Sequence, residues 1–304
     1  MAKSKFDVYD HVTEQIITQI AAGTPPWRRP WTGGAIGAAM PLRWNGEAYR
    51  GINVVMLWAV AAEQGYVSNR WLTYRQAQDL GGQVTKGQKS ATVVKYGTFD
   101  SAKDNPNGPT APNTSPTEGK KIGYCRAYRV FNADQIEGLD AAFYVKPEPP
   151  RDLGTKADPD LDAFFVATGA KIETSAEPRA YYNIARDKIH MPPIETFHEA
   201  ARYYGVQGHE LVHWTGAAKR LDRLSRFADR KSYAFEELVA EIGTCMLGAH
   251  IGVDPDFGQS AAYVEGWQAA LKEDNRAIFR AASEAQKAID HILALAEIPF
   301  KKAA

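Results

Sequence analysis

Apolar residues recur along this chain with two periods, and the switches between them outline its elements. Val8, Val12, Ile16, Ile17 and Ile20 fall at helical spacing, so residues 6–22 predict an amphipathic helix that Gly23-Thr-Pro-Pro ends. Residues 52–64, rich in Val, Leu and Ala, predict a second helix, and 73–80 a third. Two strands are expected at 90–99 and 122–131. Between them, 100–121 is crowded with Pro, Gly, Asn, Thr and Ser and reads as a flexible loop. Residues 146–157, opening with Lys-Pro-Glu-Pro-Pro, read as an interdomain linker. The pattern then restarts with a helix over 158–168 and a short Lys171-Ile-Glu-Thr segment. A β-hairpin follows from 180–184 and 188–191, with helices expected around 197–213 and 233–243 and a long one over 263–291. The sum is an α+β chain in two domains, 1–145 and 158–304.

The most specific chemistry lies in His209-Glu-Leu-Val-His213. On a helix, residues i and i+4 share a face, so both imidazoles reach one point. Two neutral imidazoles are good zinc ligands, and Glu210 between them is placed as general base toward water at the ion. Leu211, Val212 and Trp214 imply that this helix is buried, where His, Glu and His need a partner that a metal supplies.

A catalytic zinc usually has three protein ligands. The downstream helix carries Glu236, Glu237 and Glu241 among Ala234, Leu238, Val239, Ala240 and Ile242. Glu237 and Glu241 share a face, so one can bind the ion while the other accepts a ring N–H from a ligating histidine. Spacing does not separate Glu237 from its neighbour Glu236. Glu237-Leu-Val-Ala-Glu241 is similar to the second-helix motif of Glu-type zincin metallopeptidases, E-x-x-[AS]-[DE]. That resemblance assigns the ion to Glu237 and the histidine contact to Glu241. Tyr233 and His190 are candidate oxyanion donors. The strand from Lys188 to Met191, with Lys188 and His190, is a candidate sheet edge for holding an extended peptide. Residues 219–231, polar and basic, read as a connector that wraps the site or simply runs over the surface.

Composition adds limits. The 304 residues are 44% hydrophobic with zero formal net charge, which suits globular domains. No apolar run approaches 18 residues, and the N-terminal segment lacks a secretory core, so no membrane partner and a cytoplasmic location are expected. Cys125 and Cys245 have no metal or disulfide-framework spacing. Residues 1–145 hold 16 Lys+Arg against 12 Asp+Glu, a net +4 that hints at an anionic partner.

Five of the seven tryptophans precede residue 72, interleaved with cations and amides. The candidate nucleic-acid contacts are Trp27, Arg28, Arg29, Trp31, Trp44, Tyr49, Arg50, Asn53, Arg70, Trp71, Arg75 and Lys89. Lys95-Tyr96 and Arg126-Ala-Tyr128-Arg129 continue the pattern. Cations neutralise phosphates and aromatic faces stack on unpaired bases, which is single-strand chemistry. Trp58, in an apolar helix, reads as core.

Taken together, the chain resembles the ArdC-type antirestriction proteins carried by conjugative plasmids. In the first half the likeness rests on Tyr49-Arg-Gly-Ile-Asn53, Trp71-Leu-Thr-Tyr-Arg-Gln76, Gly87-Gln-Lys89 and Tyr128-Arg-Val-Phe-Asn132. In the second it rests on Asp187-Lys-Ile-His-Met-Pro192, His209-Glu-Leu-Val-His-Trp-Thr-Gly216, Arg220-Leu221 and Glu236-Glu-Leu-Val-Ala-Glu241. The resemblance implies an N-terminal single-stranded-DNA-binding domain and a C-terminal zincin-like metallopeptidase domain with a small antiparallel or mixed sheet. It further implies protection of incoming plasmid DNA from host restriction. One zinc per chain is expected, or another divalent ion in its place, in a monomer, with restriction-system components as one candidate class of protein substrate. Two other readings remain open: a non-enzymatic DNA-masking protein with a structural metal, and a protease acting on DNA-bound or crosslinked proteins.

Overall fold

The computed structural model describes residues 7–23, 25, 27, 39–100, 121–148, 150–226, 230–255 and 261–296. The chain opens with α1 (Val8–Ala21), whose first turn is capped by Asp7 accepting from the Tyr9 amide. Its stripe of Val8, Val12, Ile16 and Ile20 is buried. Helix α2 (Ile52–Gln64) starts at Gly51 and stops at Gly65, which adopts the left-handed conformation (φ 69°) that ends helices. A reciprocal capping box between Thr73 and Gln76 opens the short α3 (Tyr74–Asp79).

Strands β1 (Leu42–Arg43), β2 (Arg70–Leu72), β4 (Ala91–Asp100) and β5 (Lys121–Asn132) form one sheet in the order β1-β2-β5-β4. The β4–β5 pair is the expected antiparallel ribbon, in register from Ala91↔Val130 to Asp100↔Lys121. Strand β4 lies at the sheet's edge, where Asn53 covers it: the Val94 amide donates to Asn53 Oδ1 (2.7 Å), and Asn53 Nδ2 donates to the Val94 carbonyl (2.9 Å). Beside it, β3 (Gln83–Val84) pairs with β6 (Ile136–Glu137) over a small core of Leu72, Ala77, Val84, Ala133, Ile136 and Leu139. The loop expected over 100–121 falls, for residues 101–120, outside the described residues.

In the second half, α4 (Pro159–Ala167) begins behind the Asp158 cap. Strands β7 (Lys171–Thr174), β8 (Tyr181–Asn183) and β9 (Lys188–Met191) form a mixed sheet ordered β7-β9-β8. The expected hairpin is β8–β9, but β9 is not an edge. Residues 171–174 pair parallel along its free side, from Lys171↔Lys188 to Thr174↔Met191. Lys188 is tied to Glu173, and His190 lies between Ser175 Oγ (2.7 Å from Nε2) and the Arg179 carbonyl (2.7 Å from Nδ1), stacked on Tyr181. Neither residue is left to hold a peptide strand, so that expectation is corrected.

Among the described residues four helices follow: α5 (Ala200–Thr215), α6 (Arg230–Ile251), α7 (Ala261–Glu273) and α8 (Ala277–Leu295). The single helix expected over 263–291 is two. At the break, the Asp274 side chain accepts from the Arg276 amide, Asn275 Nδ2 donates to Asp10, and the Asn275 carbonyl accepts from Thr13. Short polar side chains that bond nearby groups outcompete helix continuation here. Helix α1 packs on α7 and α2 on α8, so both halves contribute to one continuous core. The linker docks as well: the Arg151 amide donates to the Gly252 carbonyl (2.9 Å), and its guanidinium pairs with Asp158. Among the described residues, no helix is long and apolar enough to cross a membrane.

Candidate metal centre

Helix α5 is buried along most of its length and presents His209 and His213 one turn apart, with their Nε2 atoms 3.1 Å from each other. Helix α6 crosses it and brings in Glu237. One Glu237 oxygen lies 3.5 Å from His209 Nε2 and the other 3.5 Å from His213 Nε2. The three donors converge, all within 4.8 Å of one another. A tetrahedral ion with bonds of about 2 Å spaces its donors roughly 3.3 Å apart, which these separations match. Two imidazoles and a carboxylate are also a donor set that suits zinc and other divalent transition metals. The residues therefore fit a metal.

The electrostatics point the same way. Burial opposes charge on the His213 ring, yet Glu236, Glu237 and Glu210 around it push its pKa up to about 9. Burial also opposes charge on Glu237, but the His209 hydrogen bond, both imidazoles and the Tyr233 hydroxyl hold its carboxyl down at about 2. The site is a carboxylate-rich pocket that favours positive charge. Glu210 is only 8% exposed and lies in this field.

Glu236, which the spacing could not separate from Glu237, takes a different place. It accepts the ring N–H of His213 Nδ1 at 3.2 Å, leaving Nε2 turned toward the donor cluster. Arg223 holds Glu236 in turn: Nε donates to one carboxylate oxygen (3.0 Å) and Nη2 to the other (2.9 Å). Arg223 also donates to the Val212 carbonyl (2.8 Å) and the Thr215 hydroxyl (3.0 Å) at the end of α5. This arginine was not a candidate from the sequence, because it stands in a basic stretch that also reads as a surface connector. It is 1% exposed. Its neighbour Arg220 lies 3.9 Å over the Trp214 ring and pairs with Asp187 in the β8–β9 turn. So Arg220 and Arg223, in the described part of the connector, pack against the end of α5 and the outer side of the site. Glu241, one turn beyond Glu237, is buried. Of the two candidate oxyanion donors, Tyr233 reaches the site and His190 is engaged within its sheet.

The proposed DNA contacts divide. Trp27 and Trp71 are each 2% exposed, packed edge-on against Trp267 and Tyr66, and Tyr49 is buried under Arg43. Asn53 is spent on the β4 edge. None of these four can stack on or bond a nucleotide from its place; for the three rings the reason is bulk, since large aromatic side chains fill the core of a small domain. Arg50 pairs with Asp290, and Arg70 reaches the Arg43 carbonyl. Trp44, Arg75 and Lys89 remain exposed. Arg28, Arg29 and Trp31 lie outside the described residues. Trp58 is core, as expected.

A buried helix carrying H-E-x-x-H, crossed by a second helix that supplies a carboxylate beside a small mixed sheet, defines a zincin-like domain. Residues 159–284 match the family model described as zincin-like metallopeptidase, and residues 6–131 match the N-terminal domain of anti-restriction factor ArdC. The chain belongs to the ArdC-type antirestriction family. It is 60% identical to an antirestriction ArdC protein from the R388 plasmid, whose metal-free crystal structure superposes with a TM-score of 0.84 over 96% of this chain and 98% of that one. A Mn(II)-bound structure of that protein superposes at 0.81. An uncharacterised protein y4eC of Sinorhizobium fredii is 37% identical over 93% of this chain and 91% of its own length. The DNA primase TraC of Escherichia coli is 38% identical over 97% of this chain, which spans only 28% of that protein's length.

Proposed function

We propose that this chain is a zinc peptidase delivered by single-stranded DNA, and that it protects incoming plasmid DNA from host restriction. The observation that carries the enzymatic half is the convergence of His209, His213 and Glu237 with Glu210 buried beside them. That the R388 relative has a Mn(II)-bound structure supports the reading that this chain, too, takes a divalent ion. When bound, the ion supplies Lewis-acid polarisation of a substrate carbonyl. Glu210 takes a proton from the attacking water on its carboxylate and passes it to the departing amine. Tyr233, half exposed with its hydroxyl at Glu237, is positioned to donate to the developing oxyanion. The ring contact that the resemblance gave to Glu241 is made at His213 by Glu236.

The DNA half rests on exposed cations and aromatic rings in the region that matches the ArdC N-terminal domain. Holding the peptidase on DNA raises its local concentration near bound proteins, among which restriction components are the proposed substrates. Comparing Glu210→Ala with wild type tests the whole reading. Loss of antirestriction in that variant, with metal and DNA binding retained, is expected. Full antirestriction without Glu210 would instead favour masking of DNA around a structural metal. Cleavage of a defined DNA–protein crosslink, with restriction components left intact, would favour repair of crosslinks.

A further inference from the structure

The β4–β5 ribbon carries the chemistry that the buried tryptophans do not. Directly paired residues share a face of a sheet, and so do residues two apart along a strand. The pairs Val93↔Tyr128, Lys95↔Arg126 and Gly97↔Tyr124 therefore set Tyr128, Arg126, Tyr124 and Lys95 side by side on one face. Lys95 and Arg126 are exposed, and Tyr128 is 41% exposed. Tyr124 lies across its partner Gly97, where a Cβ would collide with its ring, and the Arg126 guanidinium sits 5.0 Å from that ring's centre. On the opposite face, Arg129 projects from the same strand and donates to Thr92 (2.6 Å). Residues 91–97 and 124–132 contain three cations and no carboxylate.

We propose that this face of the ribbon is the surface that receives single-stranded DNA, with Tyr128 stacking on a base, Lys95 and Arg126 meeting phosphates, and Tyr124 lying beneath Arg126 as its support. The inference rests on the reading that the N-terminal half binds single strands, and says where. Ring faces of this kind stack only on bases that are unpaired, since a duplex hides its base planes. The flat cation–aromatic alternation also accepts any sequence, as a strand entering a cell requires. Glycine at 97 serves the same surface: it makes room for a ring to lie flat on the sheet.

Fluorescence anisotropy of a labelled oligothymidine with the full chain tests this. Wild type is expected to bind it more tightly than a duplex of equal length. Tyr128→Ala weakens binding by about tenfold or more, while Tyr128→Phe, which keeps the ring, binds as wild type. Lys95→Ala with Arg126→Ala flattens the slope of log K against log salt by about 1.4, near 0.7 for each phosphate that is no longer neutralised. Trp44→Ala, at the exposed ring that lies off the ribbon, costs less affinity than Tyr128→Ala. If wild type binds no oligothymidine, the DNA reading itself fails. If it binds and the Tyr128 and Lys95/Arg126 variants match it, or Trp44→Ala alone removes binding, only the ribbon assignment fails. Preference for duplex overturns it as well.

Discussion

Buried to 1% exposure, Arg223 gives its guanidinium to Glu236, Thr215 and the Val212 carbonyl, and Glu236 gives its remaining reach to His213. Burial disfavours the Glu236 carboxylate, and the His213 and Arg223 hydrogen bonds more than reverse this, lowering its pKa. Removing one partner of such a pair leaves a buried charge uncompensated, at a cost of about 3–5 kcal/mol. Arg223→Met should therefore be strongly destabilising in urea, and the Arg223→Met/Glu236→Gln double variant should cost less than the two singles summed. Strict additivity would show that the two side chains are not coupled. Glu236→Gln should also weaken zinc binding about 10- to 100-fold, as loss of a ligand's outer partner does elsewhere. A second residue-scale effect concerns pH. Burial lowers His250 to about 4, below its unfolded value near 6.5. Between these values the unfolded state binds the extra proton, so this stabilisation is present above pH 6.5 and is lost as pH falls toward 4. The slope is about 1.4 kcal/mol per pH unit. Comparing urea unfolding at pH 7 and pH 5 should show a smaller loss in His250→Gln than in wild type; equal losses would count against it.

Elements with strong local signals were legible in the sequence: α1 from its apolar stripe, α2 and α3, the long β4–β5 pair, and the helix that carries H-E-x-x-H. The two-residue strands β1, β3 and β6 were not, because they exist only through partners distant in sequence. The same reason hid the central position of β9, since Lys171-Ile-Glu-Thr carries no mark of the strand it pairs with. At the metal site, helical spacing revealed the two histidines and narrowed the carboxylate to neighbours. Only the orientation of α6 against α5 sends Glu237 to both Nε2 atoms and Glu236 to Nδ1. Asn53 shows how an exposed-looking polar residue can belong to an element's edge. Asn53→Ala removes both bonds that cover β4, so the thermal midpoint should fall by several degrees, corresponding to about 1–3 kcal/mol. Oligonucleotide affinity per folded molecule should stay the same. An unchanged midpoint with weakened binding would return Asn53 to the DNA surface.

Although two family models divide the chain, α1 and α2 pack against α7 and α8 in one core. Unfolding by urea should accordingly be a single transition by far-UV and fluorescence signals together, and neither half cut within 146–157 should be stable alone. Two separated transitions would show that the halves are independent. The shared core also fixes the geometry between the N-terminal half and the metal site, so DNA held as proposed would lie at a set position relative to that site rather than on a tether. The proposed chemistry depends on His209, His213 and Glu237, between α5 and α6, holding an ion. Titrating metal-stripped protein with zinc, in wild type, Glu210→Ala and Glu237→Ala, tests that most directly. One tightly bound ion per chain is expected in wild type and Glu210→Ala, with affinity collapsing in Glu237→Ala; undiminished binding in Glu237→Ala would contradict the site described.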